Sequence, residues 1–331
     1  IVFAQQESFS AFRQEVSFNL SGPILLGIAS IYLYKREMYL DQILDLLKVS
    51  ILPIISILAY LFFYTIDISK ISFLSAANFS TTGGFGPNQV STILGFGIFV
   101  LIVLLLYKKR FTNFLVLDVI ILAYLIYRDL LTFSRGGLTT GICAAIIILF
   151  FYLKSKPNFI ISIAKIGVMF FILGFTLFNY TSSQTDNVLG YRYSGKNSYG
   201  GDKEDISSGR IGYFEDELNI FLDNPFFGAG AGGSKYVREK KYSHKGSSHN
   251  EITRMLSEHG IIGVFLLLFL IIHPLKIIYK NRRYKEFSFS LAFYFLWFLT
   301  INHSAMRLAF PSIVYGLSLI NIKKNENIIH R

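Results

Sequence analysis

Charge is scarce in this chain of 331 residues. Only 16% of its residues are Asp, Glu, Lys or Arg, against 52% hydrophobic and 16% aromatic. A soluble globular domain carries about 25% charged residues, so an ordinary water-soluble fold is excluded. Cysteine is nearly absent as well. Cys143 stands alone inside an apolar run, which removes internal disulfides and gives a zinc site no thiolate. The apolar runs lack the strict apolar–polar alternation that barrel strands need. RNA- and DNA-binding motifs are also missing, so the net charge of +11 does not point to nucleic acid. The chain opens on Ile1 with no basic leader or cleavage site before it, and further N-terminal sequence and spans are expected upstream.

What is abundant is hydrocarbon in long runs. Apolar stretches near the length of a transmembrane helix recur along the chain, which predicts an all-α, polytopic membrane protein. Nine spans are expected, at about residues 17–34, 49–66, 89–107, 111–131, 137–153, 159–180, 259–279, 287–304 and 306–322. The basic residues cluster between them, at Lys35-Arg36, Lys108-Lys109-Arg110, Lys154 with Lys156, Lys280 to Lys285, and Lys323-Lys324. All five clusters fall on one side of the alternation, which is the positive-inside pattern of cytoplasmic loops. The other side receives 1–16, 67–88, 132–136, 181–258 and a short turn near Met306. Residues 38–48 read as an amphipathic surface helix. Asp118 and Lys165, inside spans, are expected to pair because an isolated charge in lipid is costly.

Residues 181–258 form a polar island. They hold eleven of the twenty-one acidic residues and ten of the thirty-two Lys and Arg. In a single membrane domain covering 1–331, this external insert is the expected seat of chemistry. Ser207-Ser208-Gly209-Arg210 opens a helix whose apolar stripe is Ile211, Phe214, Leu218, Phe221 and Leu222, with charge on the other face. Ser207 or Ser208 is the expected N-cap, and Asn224-Pro225 the stop. Arg210 then lies in the first turn, where a planar guanidinium can bind phosphate oxygens in bidentate fashion. Gly228 to Lys235 fails as a nucleotide phosphate loop because its order is Ser-Lys rather than Lys-Ser/Thr and no strand precedes it. It reads as a turn that lets backbones approach closely.

Ser248-His249-Asn250-Glu251 matches a capping box with Ser248 at the N-cap and Glu251 at N3. His249 would then sit at the positive helix end, which disfavours imidazolium and keeps a neutral base near pH 7. Free N–H groups at the same end suit a phosphate. The spacing of His244, His249 and His259 matches no zinc pattern, so no metal is expected. Ser247, Ser248 and His249 are adjacent in sequence, which gives poor triad geometry for a hydrolase. A transporter or flippase would call for internal repeats, and none is evident. Arg135, in Ser134-Arg135-Gly136, stands at a membrane–water boundary, where it can snorkel or grip a lipid-borne phosphate.

Taken in order, these pieces resemble the bacterial O-antigen ligase and O-antigen polymerase superfamily. The matching features are Gly86-Pro87-Asn88-Gln89, Ser134-Arg135-Gly136, Arg210 opening a loop helix, and Asn224-Pro225-Phe226-Phe227-Gly228-Ala229-Gly230. His249-Asn250 and Glu258-His259-Gly260-Ile261-Ile262-Gly263 follow. The resemblance covers about residues 70–280. It implies a helical fold of the GT-C type in the bacterial inner membrane, with its active site facing the periplasm. It also implies glycan transfer from an undecaprenyl-diphosphate carrier to lipid A core or to another glycan, without cofactor, metal or nucleotide sugar. Arg135, Arg210 and His249 match the family's important positions. Asn88, Gly228, Gly230, Asn250 and Arg254 are put forward with them as substrate-binding residues. The Arg-x15-Gly motifs of some polymerases are not evident, since Phe226 lies sixteen residues past Arg210. That favours ligase over polymerase.

Overall fold

The computed structural model describes residues 9–154, 156–203, 205, 207, 209–243, 248, 250–282, 286–304 and 309–323. The chain is helical throughout, as the apolar runs require. Its elements are α1 (Phe9–Leu33), β1 (Glu37–Tyr39), α2 (Leu40–Tyr64), α3 (Pro87–Leu106), α4 (Leu115–Leu130), α5 (Gly136–Lys154) and α6 (Phe159–Gln184). Then come α7 (Val188–Tyr193), α8 (Arg210–Asp223), α9 (Gly233–Tyr242), α10 (Glu251–Asn281), α11 (Phe287–Ile301), α12 (Ala309–Ser318) and β2 (Asn321–Lys323). β1 and β2 pair in parallel, Glu37 opposite Asn321, and Lys323 Nζ lies 2.7 Å from Glu37 Oε2. Helices occupy each of the nine expected apolar segments. Five of them, α2, α3, α5, α6 and α10, are long and apolar enough to cross a membrane. The apolar part of α1 (Asn19–Leu33), α11 and α12 are shorter. The expected turn near Met306 lies outside the described residues.

Two expectations are corrected. Residues 40–48 do not form a separate surface helix; they are the first turns of α2, and Met38 belongs to β1. The reason is phase. Ile43, Leu44 and Leu47 are buried on the same stripe as Ile51, Ile54, Leu58 and Leu61, at helical spacing with no break. Asp118 does not pair with Lys165, which is exposed. Its carboxylate accepts the Phe111 and Thr112 N–H groups (3.2 and 2.8 Å) and the Thr112 hydroxyl (2.7 Å). A charge at the start of α4 is thus satisfied by the loop that precedes it.

The contacts divide into two compact units. One comprises residues 1–36, 207–281 and 297–320; the other comprises 37–206, 282–296 and 321–331. In the first unit, α1 packs on α12 so closely that a Cβ on Gly316 would stand 2.8 Å from the Ala29 carbonyl oxygen, and Ser312 Oγ donates to Gly22 O at 3.2 Å. In the second, α3 and α5 cross at three glycines. A Cβ on Gly95 would lie 2.1 Å from Gly137 O, one on Gly137 would lie 2.0 Å from Ser91 O, and one on Gly141 would lie 2.1 Å from Gly95 O. Backbones in contact are a recurrent way to associate helices when hydrophobic burial gives no advantage.

Replacing Gly95 or Gly141 with Leu forces these backbones apart, and overpacking of this kind costs about 1–3 kcal/mol. Thermal unfolding in detergent should show both variants clearly below the parent. Gly167→Ala, where an added Cβ meets nothing within 4 Å, should unfold at or above the parent temperature because alanine favours the helix. Equal stability of all four proteins would refute the close crossing.

Candidate active site

The first unit gathers α8, α9 and the start of α10 around a polar pocket. Its foundation is a break in α10. At Gly260 (φ 60°, ψ −141°) the helix is interrupted, which strips intrahelical partners from nearby backbone groups. The segment after α8 replaces them. Ala229 N–H donates to Ser257 O at 2.8 Å, Gly230 N–H to Glu258 O at 3.0 Å, and Ile261 N–H to Pro225 O at 2.7 Å. Gly228 (φ +66°) lies so close that a Cβ would meet Glu258 C at 2.4 Å, and a Cβ on Gly260 would meet Phe226 C at 2.6 Å. The close approach expected of the glycine-rich turn is therefore made to α10. Gly228 and Gly230 both serve this docking.

Arg210 is the first residue of α8, and Asn224 ends the helix before Pro225. The cap differs from expectation: Gly209 (φ 82°) is the N-cap, while Ser207 Oγ accepts Ile211 N–H at 3.3 Å. Ser208 lies outside the described residues. The faces of α8 are also reversed. Ile211, Phe214, Leu218 and Leu222 are exposed, whereas Asp216, Glu217 and Ile220 are buried. The acidic face turns inward because its partners are inside.

Glu217, only 1% exposed, is the centre of that interior. It accepts a charge-assisted bond from Arg238 of α9, a bond from Ser248 Oγ at 3.1 Å, and one from Thr253 Oγ1 of α10. Arg238 is fully buried, and its guanidinium stacks 5.1 Å over the Tyr213 ring. Burial pushes the Glu217 carboxyl up, against the opposing pull of Thr253, Arg238 and Ser248. A cavity of about 250 Å³ opens here, lined by Arg210, Glu217, Ser248, Asn250, Thr253 and Asn302 among others.

The start of α10 also departs from the capping box. Glu251 is its first residue rather than N3. Asn250 is the cap, with its Oδ1 accepting Ile252 N–H at 2.9 Å, while Ser248 Oγ accepts Asn250 N–H at 3.3 Å. The N–H of Ile252 is thus already taken. Asn250 outcompetes Ser248 because the helix begins two residues later than the box predicts. Residue 249 lies outside the described residues, as does His244. Its two described neighbours in the chain, Ser248 and Asn250, both line the cavity. Arg254 is nearly buried and committed to carboxylates. It donates to both oxygens of Glu251 and, at 3.1 Å, to Glu258, which also accepts Ser234 Oγ–H at 2.9 Å.

Arg135 belongs to the second unit, in the turn between α4 and α5. Asp129, fully buried, accepts Ser91 Oγ–H at 2.6 Å, and Ser91 Oγ accepts Gly137 N–H at 3.2 Å. Ser134 Oγ donates to Asn88 Oδ1 at 2.8 Å. Phe133 (φ 57°) is buried and stacks on Phe73 at 5.3 Å. These contacts fix both sides of Arg135. Glu217, Arg238, Arg192 and Lys203 went unnoticed in the sequence. A signal existed for Glu217 alone: it falls four residues after Tyr213 and three before Ile220, on one helical face.

Removing one member of a buried ion pair costs about 3–5 kcal/mol. Glu217→Ala takes the carboxylate from Arg238 and releases Ser248 and Thr253, so it should lower thermal stability sharply. Glu217→Gln keeps an acceptor for the hydroxyls and should fall between. An unfolding temperature equal to the parent's in Glu217→Ala would refute the hub.

No match to the chain was found among curated proteins or among solved structures. A family model described as O-antigen ligase matches residues 120–268. The match runs from α4, which leads into Arg135, through Arg210 and the polar cavity to α10 beyond the Gly260 break. That match supports the O-antigen ligase and polymerase superfamily for residues 120–268 of the chain.

Proposed function

We propose that this protein transfers a glycan from an undecaprenyl-diphosphate carrier to an acceptor hydroxyl at the periplasmic face of the inner membrane, as an O-antigen ligase. The observation that carries the reading is the cavity in which Arg210, Ser248 and Asn250 meet, within the segment matched by the family. The reaction breaks the bond between the anomeric carbon and a diphosphate oxygen. It forms a bond from that carbon to the acceptor oxygen, and the acceptor proton goes to a base. His249 is the base in this reading. Arg210 takes up the charge that grows on the departing diphosphate, the task that a metal performs in other transferases. Attack opposite the leaving group inverts the anomeric centre. Asn250 both caps α10 and lines the cavity. The second reading is a polymerase of the same family, in which the acceptor is another lipid-linked glycan; the lack of an Arg-x15-Gly motif after Arg210 disfavours it.

Deletion of the gene, followed by gel analysis of surface glycans, separates the two. A ligase leaves lipopolysaccharide uncapped, and a polymerase leaves single repeat units. His249→Ala should lower transfer at least about 100-fold, the scale of general-base loss, with membrane insertion unchanged. Arg210→Gln should weaken use of the lipid-diphosphate donor. Activity should persist in EDTA. Near-parental transfer by His249→Ala would remove that residue from the mechanism.

A further inference from the structure

We propose that α8 lies in the surface of the bilayer, with Ile211, Phe214, Leu218 and Leu222 and the Phe226-Phe227 pair that follows immersed in lipid. The partner is a lipid surface. The assignment rests on the geometry of the first unit and on no reading of the reaction.

At about 100° per residue the surface of α8 divides into three arcs. Asp216, Glu217 and Ile220 occupy the buried one. Among the exposed residues, Ile211, Phe214, Leu218 and Leu222 fall within about 80° of one another. Glu215, Asn219 and Asp223 hold the neighbouring arc, also exposed. Asp223 there accepts from Lys241 Nζ at 2.6 Å, an ion pair open to solvent. The helix therefore has a packed side, an apolar side and a polar side, which is the division an interfacial helix needs. Phe226 and Phe227 extend the apolar side and are 71% and 78% exposed. A contiguous exposed apolar strip of this kind marks a protein or a membrane contact.

Three neighbours of the strip stand where apolar helices begin or end, and they decide for lipid. Pro225 O accepts Ile261 N–H at 2.7 Å, and Ile261 opens an exposed apolar face of α10 that continues through Phe265, Phe269 and Ile272. Before Gly260 the same helix carries the buried Glu251, Arg254 and Glu258. The turn after Phe227 lies against α1: a Cβ on Gly232 would stand 2.9 Å from Asn19 Nδ2, and Asn19 begins the apolar part of that helix. At the other end of α8, Arg210, Ile211 and Phe214 share the polar cavity with Asn302, the first residue after α11. Both ends of α8 are thus held at the limit of apolar helices, so the helix runs along that limit. Phe226 joins the strip to the exposed face of α10, since its backbone touches Gly260. One continuous apolar surface results, and α10 is long and apolar enough to cross a membrane. Ile211 and Phe214 belong both to the strip and to the cavity wall, so the cavity reaches the lipid side of α8.

The test uses the purified full-length protein carrying Cys143→Ser, reconstituted in vesicles of phosphatidylethanolamine and phosphatidylglycerol. Single nitroxide labels are attached at Leu222→Cys and Phe227→Cys on the strip, at Ile262→Cys on the apolar face of α10, and at Asn219→Cys and Asp223→Cys on the polar arc. All five positions are exposed, so the labels do not disturb the interior. Power saturation reads the accessibility of each label to oxygen, which concentrates in lipid, and to a nickel chelate, which stays in water. The oxygen-to-nickel ratio at Leu222→Cys and Phe227→Cys should approach that at Ile262→Cys and exceed that at Asn219→Cys and Asp223→Cys several-fold. Ratios on the strip equal to those on the polar arc would overturn the proposal. Exclusion of both reagents from the strip would also overturn it, and would assign the strip to a second copy of the chain or to another protein.

Discussion

Glu217 is the joint of the first unit. Its carboxylate receives hydrogen from α9 through Arg238, from the segment before α10 through Ser248, and from α10 itself through Thr253. Desolvating a carboxylate and a guanidinium costs several kcal/mol per ion, so such a pair persists only where further contacts offset that cost. Here both oxygens are used, and the guanidinium also lies over an aromatic face. This explains the orientation of α8. The helix turns Asp216 and Glu217 inward, Glu217 to partners that satisfy it, and leaves Ile211, Phe214 and Leu222 outside. In water that exposure would be unfavourable. In a chain with helices long enough to cross a membrane, it has less reason to be buried.

The second constraint is backbone accounting at Gly260. Interrupting a helix in an apolar setting leaves carbonyl and N–H groups without partners, and each such group costs free energy comparable to a lost hydrogen bond. The Pro225–Gly230 segment supplies partners for the carbonyls of Ser257 and Glu258 and for the N–H of Ile261. Two stretches that seem unrelated in sequence, one after α8 and one inside α10, are therefore one structural piece. Part of the motif set that marks the family is architectural: Gly228 and Gly260 hold positive φ where two backbones touch. Arg210 and Asn250, by contrast, border the cavity.

The helices were legible in the sequence because apolar runs of that length leave the backbone few alternatives, and nine segments could be located from hydropathy alone. Local stops were legible too, as Asn224-Pro225 illustrates. Face assignment was not. The stripe on α8 was read by hydrophobicity, but the structure ranks faces by what each can satisfy, and Arg238 lies 21 positions beyond Glu217 in the chain. The start of α10 was misread for a similar reason. Ser248 has the right identity for a cap, yet its hydroxyl is drawn to Glu217, and Asn250 takes the role. Asp118 reads as an intramembrane partner of Lys165, whereas two backbone N–H groups of its own loop donate to its carboxylate. Each error came from treating a side chain by its type when a partner distant or local in sequence decided its direction.

The two units handle positive charge in opposite ways. In the first, Arg238 and Arg254 are matched by the carboxylates of Glu217, Glu251 and Glu258, so their charge is spent on holding helices together. In the second, Arg192 and Lys203 converge on one carbonyl oxygen. The same reasoning separates structural arginines from binding ones elsewhere in this chain: the ones already met by carboxylates have little left to offer a phosphate.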